Sequence, residues 1–431
     1  MELLFKNITA VTMDRECPVI FNTNLGIKNN CITFIEDSQN VNTERIIDGT
    51  GKLLIPGLYN CHAHTPMSLL RGFANDLALE EWLFEHIFPA EQKIKGTKNA
   101  VYTGAMLSIA EMIASGTIAF SDMYFGLPDI AKAVEESGVK ANLSNAVLSF
   151  DPANYNYRDQ NEYLETLHIL ENYHNAPHGR IKAEASIHCA YTSHPAAWQQ
   201  IRDFAEENNL GMQIHLSETI TEHNKSLEMF DMTPAQAFAK HGVFDVPTVA
   251  AHACWVSEED IEILAKYGVT VAHNPVSNLK LASGVAPVVN MLNTGINVAL
   301  GTDGMASNNT NDLFEEIKLA SILQKCAQED PTVLPALQAL EMATVNGAKA
   351  QNRVGGQIKE GYDADLVMLN MDNLNQIPCF DPILNLAYST TGRDVEMTLC
   401  QGRVLYEKGE FTTIDIEKVR YDARKVTEEI R

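Results

Sequence analysis

Residues 55–72 read IPGLYNCHAHTPMSLLRG, with His62 and His64 flanking a single alanine at the end of the largely apolar run KLLIPGLYN. Residues two apart in a strand point to the same side, whereas in a helix they do not face each other. A strand that ends here aims both imidazoles at one point, which raises the question of a metal site.

Further strand-like runs follow: TIAFSDM (117–123), VKANLSNAVL (139–148), IKAEASIH (181–188), GMQIHL (211–216), TVAAHA (248–253), VTVAHN (269–274) and INVALGTD (296–303). With LLIPGLYNCHAH they number eight, and helix-like stretches such as NAVYTGAMLSIAEMIAS and PDIAKAVEESG separate them. Eight strand–helix units over roughly 300 residues predict an α/β fold, a (β/α)8 TIM barrel. The alternative is an open doubly wound sheet. The barrel is preferred because chemistry-bearing residues end several different strands, where barrels place them. The chain ends read differently. KNITAVTM, LGIKNNCITFIE and RIIDGTGKLLIP, and later ADLVMLN and MTLCQGRVLYEKGEF, are short strand-like runs, and Asn29-Asn30 suits a tight hairpin. The last stretch, IDIEKVRYDARKVTEEIR, has helical spacing.

The 431 residues, 45% hydrophobic and 20% charged, predict a globule with a sizeable core. Against 32 Lys+Arg stand 56 Asp+Glu, a net charge of −24. Such a surface repels phosphate backbones and anionic membranes, which argues against nucleic acid or a membrane as partner. Eight scattered cysteines without a CxxC pair fit the reduced thiols of a cytoplasmic protein. MELLFKNITAVTMDRE lacks the pattern of a signal peptide, and no run approaches the ~20 apolar residues of a membrane span.

Of thirteen histidines, His86, His168, His174, His178, His194, His223 and His241 fall in helix- or loop-like stretches. The other six end predicted strands: His62 and His64, His188, His215, His252 and His273. One strand-end histidine is more often a satisfied core group than a ligand. Five strands so equipped, converging on one barrel mouth, point to a site. Asp303 follows the apolar run NVAL, where a carboxylate is costly unless paired or bound to a cation. Three histidines and an aspartate make an N3O set that suits zinc or iron(II). Glu218, three residues beyond His215, is placed to reach a substrate. Such an ion with an open position lowers the pKa of water from 15.7 to about 7, and a neighbouring carboxylate then moves protons. A two-metal site would call for a bridging group such as a strand-end lysine. Lys182 instead starts its strand, so one ion per chain is expected.

The chain resembles the amidohydrolase superfamily and, within it, the methylthioadenosine/S-adenosylhomocysteine deaminases. The carriers are PGLYNCHAHTPMSLLRGFANDL, EEWLFEHIFPAE, HCAYTSHP, QIHLSET, VAAHACWVSEED, AHNPVSNLKLASGVAPV and LGTDGMASNN, in order over nearly the whole chain. Guanine, triazine and pterin hydrolases share much of the pattern. The resemblance implies a barrel over 57–355 and a small β-sandwich domain built from residues 1–56 and 356–431, the latter adding a terminal helix. It implies a divalent ion, zinc or iron, on His62, His64, His215 and Asp303. Glu218, His252 and Asp303 match its acid/base residues, Glu91 a residue that holds the ribose hydroxyls, and His188 a substrate contact. His273 matches a strand-end histidine that is not usually a ligand. Asn145 stands where the family has an arginine that holds the amino-acid carboxylate of S-adenosylhomocysteine, and Arg158 is the candidate replacement. Trp255 stands where the family often has a second histidine.

The expected reaction is hydrolytic deamination of a free adenine nucleoside: methylthioadenosine, adenosine, 5′-deoxyadenosine or S-adenosylhomocysteine. The alternatives are deamination or dechlorination of a guanine, pterin or triazine ring, and a non-catalytic scaffold on a decayed barrel. Decay removes ligands first, and all four are present. A homo-oligomer is the expected assembly.

Overall fold

The computed structural model describes residues 2–36, 42–152, 155–176 and 179–431. His178 lies outside the described residues.

All eight predicted strands form, and they close into a (β/α)8 barrel. In order they are Leu58–His64, Thr117–Met123, Lys140–Ser144, Ile181–Ala183 with Ala185–Ile187, Met212–Leu216, Thr248–His252, Thr270–His273, and Val298–Leu300 with Asp303–Gly304. Neighbours pair in parallel throughout. The last strand returns to the first, with Asp303 opposite Ala63 and Gly304 opposite His64. Next to this seam, Thr302 N donates to the carbonyl of His62 at 3.1 Å, and Asn60 Nδ2 donates to Thr302 Oγ1 at 2.7 Å. The barrel strands are buried along almost their whole length, as expected of strands with side chains in the barrel and helices outside.

The strands are shorter than their apolar runs suggest, for local reasons. LLIPGLYNCHAH is two strands. Lys52–Pro56 leaves for another sheet, and the barrel begins beyond Gly57. A Cβ at Gly57 would lie 2.3 Å from Ile118 Cγ1, so only glycine lets the two strands approach there. The fourth strand breaks at Glu184, whose carboxylate turns into the barrel and accepts from Asn142 Nδ2 and Gln213 Nε2, each at 2.7 Å. The third ends at Ser144, before Asn145 and its loop. A second close approach packs helix Ala100–Ala114 onto the turn Thr65–Leu70 that follows His64. A Cβ at Gly104 would sit 2.5 Å from the carbonyl oxygen of Pro66.

The chain ends share one nine-stranded sheet. Leu3–Val11, Val19–Lys28, Cys31–Glu36, Arg45–Asp48 and Lys52–Pro56 come from the front of the chain. Leu366–Asn370, Val395–Cys400, Arg403–Glu407 and Glu410–Phe411 come from its back. Asn29 and Asn30, both at positive φ, turn the predicted hairpin. The two halves join where Leu53 pairs antiparallel with Leu369. Alternation does the rest. Leu53, Ile55, Val367 and Leu369 pack into the core shared with the barrel, while Leu54, Leu366 and Met368 enter a second core with Ile8 and Met397. The closing helix is Ile416–Ile430.

No helix among the described residues is long and apolar enough to cross a membrane.

Candidate active site

The barrel gathers the predicted side chains at the C-terminal ends of its strands. His62 Nε2 and His64 Nε2 lie 3.5 and 3.2 Å from Asp303 Oδ1. Two atoms bound tetrahedrally to one zinc at ~2.0–2.1 Å stand about 3.3 Å apart, so these spacings fit a shared ion. The ring centroid of His215 is 4.9 Å from that of His62. Two groups have donor atoms within 4.8 Å of one another: His62, His64 and Asp303, and His62, His215 and His252.

Backbone carbonyls set the ring orientations. His64 Nδ1 donates to Met123 O at 2.5 Å and His215 Nδ1 to His188 O at 2.8 Å. Each bond fixes the tautomer and leaves Nε2 free for an ion. Burial pushes His62 down to about 4 and His215 well below the usual imidazole range, so both are neutral at pH 7. His62 Nε2 is buried with no hydrogen-bond partner, an arrangement that costs energy unless a cation completes it. Asp303 is held by Ser277 Oγ at 2.6 Å and Ser307 Oγ at 3.0 Å, both on Oδ2. This frees Oδ1 for the centre, apart from a bond from Gly304 N at 2.7 Å. Donor chemistry, spacing and the orphaned nitrogen all fit one divalent ion. Lys182, at the far end of its strand, donates to the carbonyl of Asn352 at 2.5 Å, away from this mouth.

Glu218 and His252 stand over the cluster, with His252 Nε2 3.9 Å from Glu218 Oε2. Ser283 Oγ donates to Glu218 Oε1 at 3.0 Å, and Trp255 Nε1 donates to the Ser283 carbonyl at 2.6 Å. His252 Nδ1 donates to Asn278 Oδ1 at 2.8 Å, which turns Nε2 to the cavity. Ser217, His252, Ala253 and Asp303 all have φ between +46° and +74°. Non-glycine residues held in this region concentrate at functional sites. His273 is buried with neither ring nitrogen bonded, and it belongs to neither donor group.

Above lies a cavity whose floor and walls include His64, His215, His252 and Asp303. Its roof is the helical run 79–96, which supplies Leu79, Trp82, Leu83, Ile87 and Phe88. The run widens to a π-helix over Trp82–Ile87, before Pro89, which has no N–H to give the preceding turn. Glu91 reaches the cavity from this run, and burial raises its carboxyl to about 7. His188 lines the wall. Burial pushes it down to about 3, and its Nδ1 meets Thr192 Oγ1 at 3.1 Å.

Two expectations change. Arg158 is not at the cavity: it is exposed on the turn Tyr157–Asp159, and its guanidinium pairs with Glu207 at 3.2 Å. Asn145 does line the cavity, but its Nδ2 donates to Glu165 Oε2 at 2.8 Å. The same oxygen accepts from Gly126 N and Leu127 N, so Asn145 belongs to a fixed corner of the wall. Among the described residues no lysine or arginine lines the cavity. Sequence reasoning also passed over Ser277, Asn278 and Ser283. All three lie in AHNPVSNLKLAS, where four Ser/Asn residues follow His273 within ten positions, and that density was the signal.

Residues 53–405 match the amidohydrolase family. A 5-methylthioadenosine/S-adenosylhomocysteine deaminase of Acetivibrio thermocellus is 41% identical over all of both chains. A 5′-deoxyadenosine deaminase of Methanosarcina acetivorans is 41% identical over 100% of this chain and 98% of its own. The crystal structure of an adenosine deaminase from Xanthomonas campestris with bound zinc superposes with a TM-score of 0.92 at 29% identity, covering 100% of this chain and 98% of that one. A family match spanning the barrel, together with relatives aligned from end to end, makes this chain a member of the amidohydrolase family.

Proposed function

We propose that the protein is a metal-dependent aminohydrolase that converts a free adenine nucleoside, with a small or uncharged 5′-group, to the inosine analogue and ammonia. The observation that carries this is the convergence of His62, His64, His215 and Asp303 beneath Glu218 and His252. The deaminase relatives support the reaction class, and the zinc-bound adenosine deaminase supports zinc as the ion.

When bound, the ion supplies Lewis acidity that brings the pKa of water to about 7. The chain's residues do the rest. Asp303, aimed by Ser277 and Ser307, takes a proton from the attacking water and passes it to the departing amine. Glu218 protonates the ring nitrogen beside the reacting carbon. His252 holds the attacking oxygen through Nε2. A C–O bond forms, the C–N bond breaks, ammonia leaves, and the proton left on the new oxygen restores the Glu218 carboxyl as the product carbonyl forms. Ammonia release from adenosine, methylthioadenosine, 5′-deoxyadenosine, S-adenosylhomocysteine, guanine and pterins tests the reading. Turnover of free bases alone rejects it.

Glu91 is read as the acceptor for the ribose hydroxyls. Glu91→Ala should lower kcat/KM for ribonucleosides by about ten- to a hundredfold, the worth of a charge-assisted hydrogen bond of about 1.5–3 kcal/mol. Ring substrates without ribose should be spared. Equal losses on ribo and 2′-deoxy substrates would mark Glu91 as a structural acid.

The 5′-end preference follows from the lining. Glu91, Glu218, Glu222 and Asp303 line the cavity, and among the described residues no lysine or arginine does. A substrate carboxylate there gains no charge-assisted bond, so S-adenosylhomocysteine should trail methylthioadenosine by roughly one to two decades in kcat/KM. Arg158→Ala should leave that ratio unchanged. A wild type that prefers S-adenosylhomocysteine overturns the argument.

The chain ends are read as the small β-domain of residues 1–56 and 356–431 with its terminal helix, built on one nine-stranded sheet in place of the two sheets of the expected sandwich, beside a barrel over 57–355.

A further inference from the structure

The loop that presents Glu218 is braced by a buried carboxylate, that of Glu222. Glu222 is 4% exposed, and among the described residues no lysine or arginine pairs with it. Its Oε1 accepts from Ser217 N at 3.0 Å and its Oε2 from Glu218 N at 2.7 Å. Ser217 has φ +46°, a strained conformation for a residue with a side chain.

The local sequence shows what is unusual about this. Thr219 caps helix Ile220–Phe230, its Oγ1 accepting from Glu222 N at 3.1 Å. Thr-x-x-Glu is the spacing of a capping box, in which the glutamate should bond back to the amide of the capping residue itself. The next helix does this: Thr233 N donates to Gln236 Oε1 at 3.0 Å, and Gln236 N to Thr233 Oγ1 at 3.2 Å. The helix after that, capped by Ser257 with Asp260, does the same. Glu222 passes over Thr219 N and spends both oxygens on the two residues before it. Capping alone would be served by a glutamine, as at 236, with no charge to bury. Only a carboxylate accepts on both oxygens.

We infer that Glu222 is a positioning residue for Glu218: its two oxygens clamp the peptide groups of Ser217 and Glu218 and so fix the Glu218 carboxyl over the reacting ring. This rests on Glu218 being the proton donor. Glutamine at 222 keeps the size but accepts on one side only, releasing one of the two amides. Displacing a catalytic group by ~1 Å costs on the order of 10²-fold.

The test is a double-mutant cycle of Glu222→Gln and Glu218→Gln, with kcat and KM measured per metal-loaded site. Glu222→Gln should lower kcat by about ten- to a hundredfold, with KM within about threefold and metal content unchanged. On the Glu218→Gln background it should change kcat less than about threefold, since residues that act as a unit are not additive. Additive losses, or a normal kcat for Glu222→Gln, overturn the inference. A Glu218→Gln single variant with normal kcat overturns the reading of Glu218 instead. If Glu222→Gln does not fold, Glu222→Asp, a methylene short of spanning both amides, takes its place in the same cycle.

Discussion

Stripped of divalent ions, the protein should release ammonia from an adenine nucleoside only at background rate, and one equivalent of zinc per chain should restore turnover. The four donors are already built for an ion. Met123 O and His188 O hold two rings by Nδ1, two serines hold Asp303 by Oδ2, and His62 Nε2 is buried without a partner. Burial disfavours the protonated form of His62 and His215, while at His64 burial is outweighed by Asp303, which holds the ring up at about 9, so an ion must displace a proton from His64. Metal affinity should fall with acid as imidazoles protonate, because ligands bind deprotonated. Elemental analysis of reconstituted enzyme is the check. Two ions per chain, or none in an active preparation, rejects the assignment.

Glu218→Gln should retain its ion and lose about 10²–10⁴-fold in kcat, the usual worth of a general acid/base group. The amide has the same size and can still accept from Ser283 Oγ, so the loop should stay in place. What it cannot do is give a carboxyl proton to the ring nitrogen and recover one from the new oxygen. Metal content and the melting temperature should match wild type, which separates lost chemistry from lost structure. A variant within a few-fold of wild type removes Glu218 from the reaction.

The barrel was legible because its strands are short, largely apolar runs, most of which end in or next to histidine or aspartate, and both features are local. The breaks were less so. LLIPGLYNCHAH reads as one strand until Gly57 is seen against Ile118, a contact across the sheet that no window of sequence contains. The ligand set could be assigned because side chains carry the chemistry. The carbonyls of Met123 and His188, which aim those ligands, could not be, since any residue supplies a carbonyl. Arg158 misled for a third reason. Loop paths between elements are set by distant partners, and its guanidinium found Glu207 on a neighbouring helix. Glu222 was hidden in plain pattern: its spacing announces a helix cap, and the three-dimensional path of the preceding loop gives it other partners.

The joining of the end sheet sets a timetable for biosynthesis. Leu53 pairs with Leu369, so about 300 residues separate the two halves of that seam. At roughly 5–20 residues per second, the front strands emerge some 15–60 s before their partners exist. For that interval Lys52–Pro56 has an open edge toward the missing Leu366–Asn370, and its apolar side chains, destined for two different cores, lack the back half of each. An unpaired apolar edge invites pairing with another chain. In the cell, the vulnerable period of this protein is therefore its own translation, and it ends when the sheet's last strands leave the ribosome.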